Sequence, residues 1–262
     1  MNSKPLRVEQ RGPARWLFLN RPAQRNALNS ELTDALDSQI DDIAYDQETA
    51  VVVLTGEGPG FSAGGDFRHF LELDEEDGVL AFLTRLSSVV TRIEQSPKPW
   101  IAALHGHAIA GGLEIALACD LVIAAEGTLV GDGHVNNKLM PGAGSSVRLE
   151  RAVGKSAARW MHLSGQPMTA EELRRTGWLH DVVPRERLRE RAGEVAAELA
   201  SRDTVAQQNM KNLLKSIAGL DAPAALKAEL DAFDSNWRQN DVPGALRTFL
   251  AARGTTKQEA RA

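Results

Sequence analysis

The sequence predicts an α/β core followed by an all-helical C-terminal region, and three observations predict it. Two apolar runs of strand length, 51–54 and 101–104, end in glycine-rich loops, 55–65 and 105–112, and each loop runs into a helical pattern. That is a β–loop–helix unit used twice, too diverged to read as a residue-level repeat. The run 51–54 is wholly apolar and β-branched-rich, which suits a parallel sheet buried on both faces. From residue 185 onward the pattern is helical almost throughout, so the chain changes character near 185–200. The core is therefore placed at 1–195 and the helical region at 196–262.

In order, 6–9 and 14–19 alternate weakly around Gly12-Pro13 and read as a hairpin that ends at Asn20-Arg21-Pro22. Asn29-Ser30 can cap a helix through about Tyr45, with Leu32, Leu36 and Ile43 at helical spacing. Strand 51–54 follows. Asp66 then opens the helical segment DFRHFLEL, and the acidic residues 74–77 read as a solvated turn or helix start. An amphipathic helix over 80–94 is stopped by Pro97 and Pro99. Strand 101–104, helix 113–119 and strands 121–124 and 128–130 come next. The loop 132–144 closes with proline and glycines and precedes helices over 145–153 and 156–163. Thr169 and Glu172 form a capping box for a short helix over 169–176. A last strand over 178–183 stops before Pro184, and helices follow over 185–201, 203–217, 221–238 and 242–252. The polar end, 252–262, reads as frayed.

Composition excludes several function classes. The 262 residues suffice for a large core, and the net charge of −5 argues against nonspecific nucleic-acid binding. The N-terminus is polar, with no apolar signal segment, and the most apolar region, 101–125, is interrupted by His105, His107, Glu114 and Asp120. That region is a core and not a membrane span. The single cysteine, Cys119, cannot form an internal disulfide and fits a buried helix position in a reducing cytoplasm.

The chemistry concentrates in 101–120, IAALHGHAIAGGLEIALACD. Gly111-Gly112 opens an apolar helix, whose first N–H groups have no partner within it. Glu114 follows Gly111 by one turn, so its carboxylate shares that face. An amide donor beside a carboxylate can stabilise an oxyanion and move a proton next to it. The same pattern also describes a tight strand–helix junction with Glu114 as a dipole partner. Other motifs carry less. Gly58-Pro59-Gly60-Phe61-Ser62-Ala63 follows a strand like a dinucleotide loop, but the region about 20 residues on is acidic and then helical, not a strand ending in an acid. His105-x-His107 has no third ligand at metal-site spacing, so no metal is expected there. Ser62 has no local base and lies in no G-x-S-x-G elbow.

NRPAQRNAL at 20–28, VVVLTGEGPGFSAGGDF at 51–67, HGHAIAGGLEIALACDLVIAA at 105–125 and MPGAGSSVRLERAVGKSAA at 140–158 come in this order, and QPMTAEELRRTGWLHDVVP follows. Together they resemble the crotonase superfamily of enoyl-CoA hydratases and isomerases, over roughly residues 6–250. The resemblance implies a spiral of ββα units with a C-terminal helical region, assembled as homotrimers or dimers of trimers. It implies an acyl-CoA thioester as substrate, with coenzyme A arriving as part of that substrate and no permanently bound cofactor. The oxyanion donors would be the N–H groups of Gly65 and Gly111, where glycine also lets a thioester oxygen approach closely. Ala27, within Asn26-Ala27-Leu28, and Ala63, Asp66 and Phe67 would occupy the family's CoA-binding strand end and loop. Arg25 would contact a phosphate or simply face solvent.

The acid–base pair departs from the family pattern. Two-glutamate hydratases carry one glutamate where Glu114 stands. The other belongs in the slot that, aligned on Pro141-Gly142-Ala143-Gly144, holds His134; Asp132 is a carboxylate displaced from that slot. An imidazole, with an unperturbed pKa of about 6.5, can hold and deprotonate water, so Glu114 with His134 can hydrate a 2-enoyl-CoA. Isomerisation would use Glu114 alone. Hydrolytic C–C cleavage of a β-dicarbonyl substrate occurs in relatives with histidine in this slot, but their supporting aspartate falls at Ala143 here. A scaffold that binds acyl-CoA without turnover is the reading from another class, and Glu114 argues against it.

Overall fold

The computed structural model describes residues 4–73 and 77–259. Of the acidic run 74–77, only Asp77 lies within the described residues. The chain parts into two units, one through Ser201 and one from Arg202.

In the first unit, strands β1 (Leu6–Arg11) and β2 (Ala14–Leu19) form the expected antiparallel hairpin. Helix α1 (Ser30–Tyr45) starts at Asn29, whose side chain accepts from Leu32 N at 3.0 Å. Strand β3 (Val51–Gly56) leads through the glycine loop to α2 (Phe67–Glu72) and α3 (Gly78–Gln95). Then come β4 (Trp100–Leu104), β5 (His107–Ile109), α4 (Gly111–Ala118), β6 (Leu121–Ala125) and β7 (Leu129–Gly131). Helices α5 (Ser145–Val153) and α6 (Lys155–Ser164), strand β8 (Met168–Thr169), α7 (Ala170–Arg174), β9 (Asp181–Val183) and α8 (Leu188–Ala200) complete the unit.

The main sheet has six strands in the order β1-β2-β3-β4-β6-β9, parallel beyond the first hairpin. Its period of two divides the core. Leu17, Val52, Leu54, Ala102, Leu104 and Val122 face one way and pack with residues of α1, α3 and α4. Trp16, Phe18, Val53, Ile101 and Ile123 face the other and meet Leu188, Ala192, Val195 and Ala196 of α8. Because α8 covers this face, the core extends to Ser201, six residues past the sequence boundary at 195.

Strand β5, read from sequence as part of a loop, pairs with β7 in a second sheet of order β5-β7-β8. Residues 178–180, read as strand, lie outside β9.

Asn26 is the fastener between the first two chain crossings. Fully buried, its side chain accepts from Arg21 N and donates to Glu57 O and Gly60 O, each at 2.9 Å. In the second unit, α9 (Thr204–Ser216) and α10 (Ala222–Gln239) are capped by Asp203 and Asp221. Helix α11 (Val242–Glu259) continues through most of the tail expected to fray. Among the described residues, no helix is long and apolar enough to cross a membrane.

Replacing Asn26 by Ala removes one buried and two part-buried hydrogen bonds to backbone groups, so Asn26→Ala should lose about 1–3 kcal/mol of stability. A urea midpoint equal to wild type would show that the side chain fastens nothing.

Candidate active site

Two glycine turns build one half of the site. Leu28 N donates to Gly64 O at 2.7 Å, and Asp66 N donates to Leu28 O at 2.9 Å, so Leu28 and Gly65 form a parallel bridge. In such a bridge the neighbours of residue 65 are taken by Leu28, and the N–H of Gly65 points the other way. Gly64 holds φ at +95°, in the region that favours glycine.

The second turn lies against the first. Ser62 and Ala108 form a parallel bridge: Ser62 N donates to His107 O at 3.1 Å, and Ile109 N donates to Ser62 O at 3.0 Å. Ala110 then takes φ 50°, ψ −118°, a left-handed conformation for a residue with a Cβ, while its N–H donates to Gly131 O at 2.9 Å. Gly111 follows as the first residue of α4, where an N–H has no intrahelical acceptor. A Cβ built on Gly64 would lie 3.3 Å from Gly111 N and 2.8 Å from the Ala110 Cβ, so the two turns touch. The N–H groups of Gly65 and Gly111 donate to no group among the described residues.

Glu114, 2% exposed, lies one turn into α4. Its Oε1 accepts from Ala143 N at 2.8 Å and from Ser145 N at 3.1 Å, which ties it to the Pro141–Gly144 turn and the start of α5. Both bonds go to the same oxygen. No hydrogen bond among the described residues reaches Oε2, which leaves that oxygen for chemistry.

His134 begins a short 3-10 turn (His134–Asn137) after β7. Its Nδ1 lies 2.9 Å from Asp132 Oδ1, and Asp132 is 1% exposed. The other oxygen of Asp132 accepts from Ser145 Oγ and lies 3.3 Å from His162 Nδ1. Burial pushes the Asp132 carboxyl up, but hydrogen bonds from His134 and Ser145 and the two imidazoles together hold it below the usual carboxylate range. Burial pushes the His134 imidazole down. The hydrogen bond and charge of Asp132, with the charge of Glu114, outweigh this and hold it above its usual value.

A cleft of about 570 Å³ adjoins the first turn. Its lining brings together Arg25, Ala27, Ala63, Gly65, Asp66 and Phe67, and also includes Arg68, but neither Glu114 nor His134. Asp66 is already engaged: it caps α2 and pairs with Arg21 Nη2 at 2.9 Å. Arg25 and Arg68 have no ion-pair partner among the described residues, which suits them to phosphate oxygens. The sequence reading did not single out Ser145 or His162. Ser145 had one available signal, its place directly after Gly144 at a helix start.

His105 and His107 do not assemble a metal site among the described residues. His105 is buried, with Nε2 3.3 Å from Gly58 O, and burial, reinforced by Arg185, lowers its pKa to about 4. The His107 ring covers Gly60, where a Cβ would lie 2.3 Å from its Cε1.

Residues 16–257 match the family model described as enoyl-CoA hydratase/isomerase. The 2,3-dehydroadipyl-CoA hydratase of Escherichia coli is 35% identical, over 90% of this chain and 92% of its own. The short-chain-enoyl-CoA hydratase of Clostridium acetobutylicum is 33% identical, over 94% of each chain. Among solved structures, an enoyl-CoA hydratase from Bacillus anthracis superposes with a TM-score of 0.90 at 30% identity, covering 95% of this chain and 96% of its own.

The raised imidazole makes stability depend on pH. A folded pKa above the unfolded value of about 6.5 contributes stability in full below about pH 6.5, and that contribution is lost as pH rises through the folded value. Asp132, held low, contributes above about pH 4 and loses this as pH falls through its folded value. Wild type should therefore exceed His134→Gln in unfolding free energy by more at about pH 6 than at about pH 9. A gap in urea titrations that stays constant over that range would contradict the ion pair.

Proposed function

The chain belongs to the enoyl-CoA hydratase/isomerase family, the crotonase superfamily, and from that premise we propose that it adds water to a 2-enoyl-CoA. One observation carries the reading. Two touching turns leave the amides of Gly65 and Gly111 without acceptors, while Glu114 lies buried one helical turn beyond the second. Two fixed N–H dipoles are suited to the negative charge that develops on a thioester oxygen.

The steps follow from these groups. His134 holds a water through Nε2 and takes a proton from it as the water oxygen bonds to the β-carbon. The electrons of the C=C bond move to the thioester oxygen, held by the two amides. Glu114 delivers a proton to the α-carbon as the enolate collapses. The proton gained by His134 then returns to Glu114, which resets the site. Coenzyme A enters only as part of the substrate, its phosphates facing Arg25 and Arg68 in the cleft formed with Ala27, Ala63, Asp66 and Phe67. A single cysteine, Cys119, which cannot form an internal disulfide, fits a cytoplasmic setting.

The assembly is proposed to be a homotrimer or a dimer of trimers. Leu226, Leu230, Phe233 and Trp237 recur at helical spacing on α10, each more than a third exposed in the single chain. Light scattering should return three or six times the chain mass; a monomer rejects the assembly.

Crotonyl-CoA mixed with the protein should lose its conjugated thioester absorbance. Gain of that signal from a 3-enoyl-CoA, without its loss from crotonyl-CoA, would make the enzyme an isomerase using Glu114 alone. Glu114→Gln should lower kcat by about 10²–10⁴-fold with acyl-CoA affinity retained, since the amide donors remain. Retained turnover would remove Glu114 from the mechanism. His134→Ala should lose hydration far more than any isomerisation, and equal rates in both proteins would make His134 a bystander.

A further inference from the structure

The acid–base half of the site has an anchor that hydration itself does not require. Ser145 is the first residue of α5 and is fully buried. Its N–H donates to Glu114 Oε1 at 3.1 Å, and its hydroxyl donates to Asp132 Oδ2. The opposite oxygen of Asp132 receives His134 Nδ1 at 2.9 Å. One residue therefore holds both carboxylates, and through Asp132 it holds the imidazole. Gly144 provides no side chain to cap α5, so the two buried carboxyl groups also sit at the positive end of that helix.

We propose that Asp132 and Ser145 are positioning residues of this site, Asp132 fixing the proton of His134 on Nδ1 so that Nε2 faces the water, and Ser145 locking that carboxylate to the helix end that locks Glu114. The assignment rests on the reading that His134 handles water. An imidazole on a flexible loop can carry its proton on either ring nitrogen, and only the tautomer with Nδ1–H leaves Nε2 as an acceptor. A buried carboxylate at Nδ1 selects that tautomer and makes Nε2 more basic. The carboxylate is itself held by one further donor, Ser145 Oγ, and its Oδ2 lies 3.3 Å from His162 Nδ1 of α6. The titratable groups acting on His134 are thus Asp132 after β7, Glu114 on α4 and, through Asp132, His162 on α6. An anion that merely caps α5 would stabilise the helix and leave the protonation of His134 unchanged.

That difference sets the experiment. In the full-length protein with ¹⁵N-labelled histidine, the ring nitrogens of His134 report tautomer and titration midpoint without any turnover. Wild type should show the proton on Nδ1, and a proton on Nε2 at neutral pH overturns the proposal. Asp132→Asn removes the charge and should lower the midpoint of His134 by about one unit or more. Ser145→Ala removes a competing donor, concentrates the charge of Asp132 on its imidazole, and should move the midpoint the other way by a smaller amount. Midpoints unchanged in both variants overturn the proposal, even if activity falls. If either variant fails to fold, the other variant and the wild-type tautomer decide. In turnover, Asp132→Asn should reduce kcat about 10–100-fold with KM little changed, and shift the acid limb of kcat/KM to lower pH. Shifted midpoints in a protein that does not hydrate crotonyl-CoA would refute the hydratase reading and leave the positioning intact.

Discussion

Leu28 engages both neighbours of Gly65, and the rest of the site depends on that pairing. By accepting from Asp66 and donating to Gly64, it forces the intervening amide to face away from the strand end. Asn26, two residues earlier, holds the same strand end against the exit of β3. Ser62 carries the turn across to β5, and β5 delivers Ala110 and the start of α4. An amide without an acceptor forgoes a hydrogen bond, and among the described residues the N–H groups of Gly65 and Gly111 both do so. In the proposed hydration an anionic oxygen would supply the missing acceptor, and the two amides would then favour the charged species over the neutral carbonyl.

The carboxylates are treated in the opposite way. Glu114 and Asp132 are both buried, and both converge on the first residue of α5. Burial alone would drive the Asp132 carboxyl toward its neutral form, but imidazole and hydroxyl donors outweigh it; Glu114 is held by two backbone amides. The site thus has donors kept without partners in the glycine turns and acceptors with partners at the helix start. In the proposed hydration, the first set would receive the substrate carbonyl and the second would serve proton transfer.

Much of this was legible in the residues. Strands β3 and β4 announced themselves because both faces are buried and the runs 51–54 and 101–104 within them are wholly apolar. The capping residues Asn29 and Thr169 marked helix starts to the residue. Strand β5 was missed because three residues between glycines carry no readable period, and only pairing with β7 and the bridge to Ser62 makes them extended. The boundary at 195 fell short because α8 looks like the helices after it; what distinguishes it is contact with Trp16 and Phe18, far away in sequence. Glu114 emerged from its spacing to a glycine turn, and His134 from the family resemblance aligned on Pro141-Gly142-Ala143-Gly144. Ser145 did not, because a serine at a helix start has an ordinary explanation and its hydroxyl partner lies 13 residues earlier across a loop.

Ala110 has a consequence for the reliability of the donor beside it. Its φ of 50° and ψ of −118° are those a glycine adopts without strain, and holding an alanine there costs on the order of 1–3 kcal/mol. A glycine would relieve that cost but would also widen the set of backbone states available to the peptide plane between 110 and 111. In the proposed hydration, rotation of that plane would swap the hydrogen offered to the reacting oxygen for a carbonyl, turning attraction into repulsion. The methyl group thus trades stability for constancy of polarity: the tense residue keeps the N–H dipole of Gly111 pointing one way.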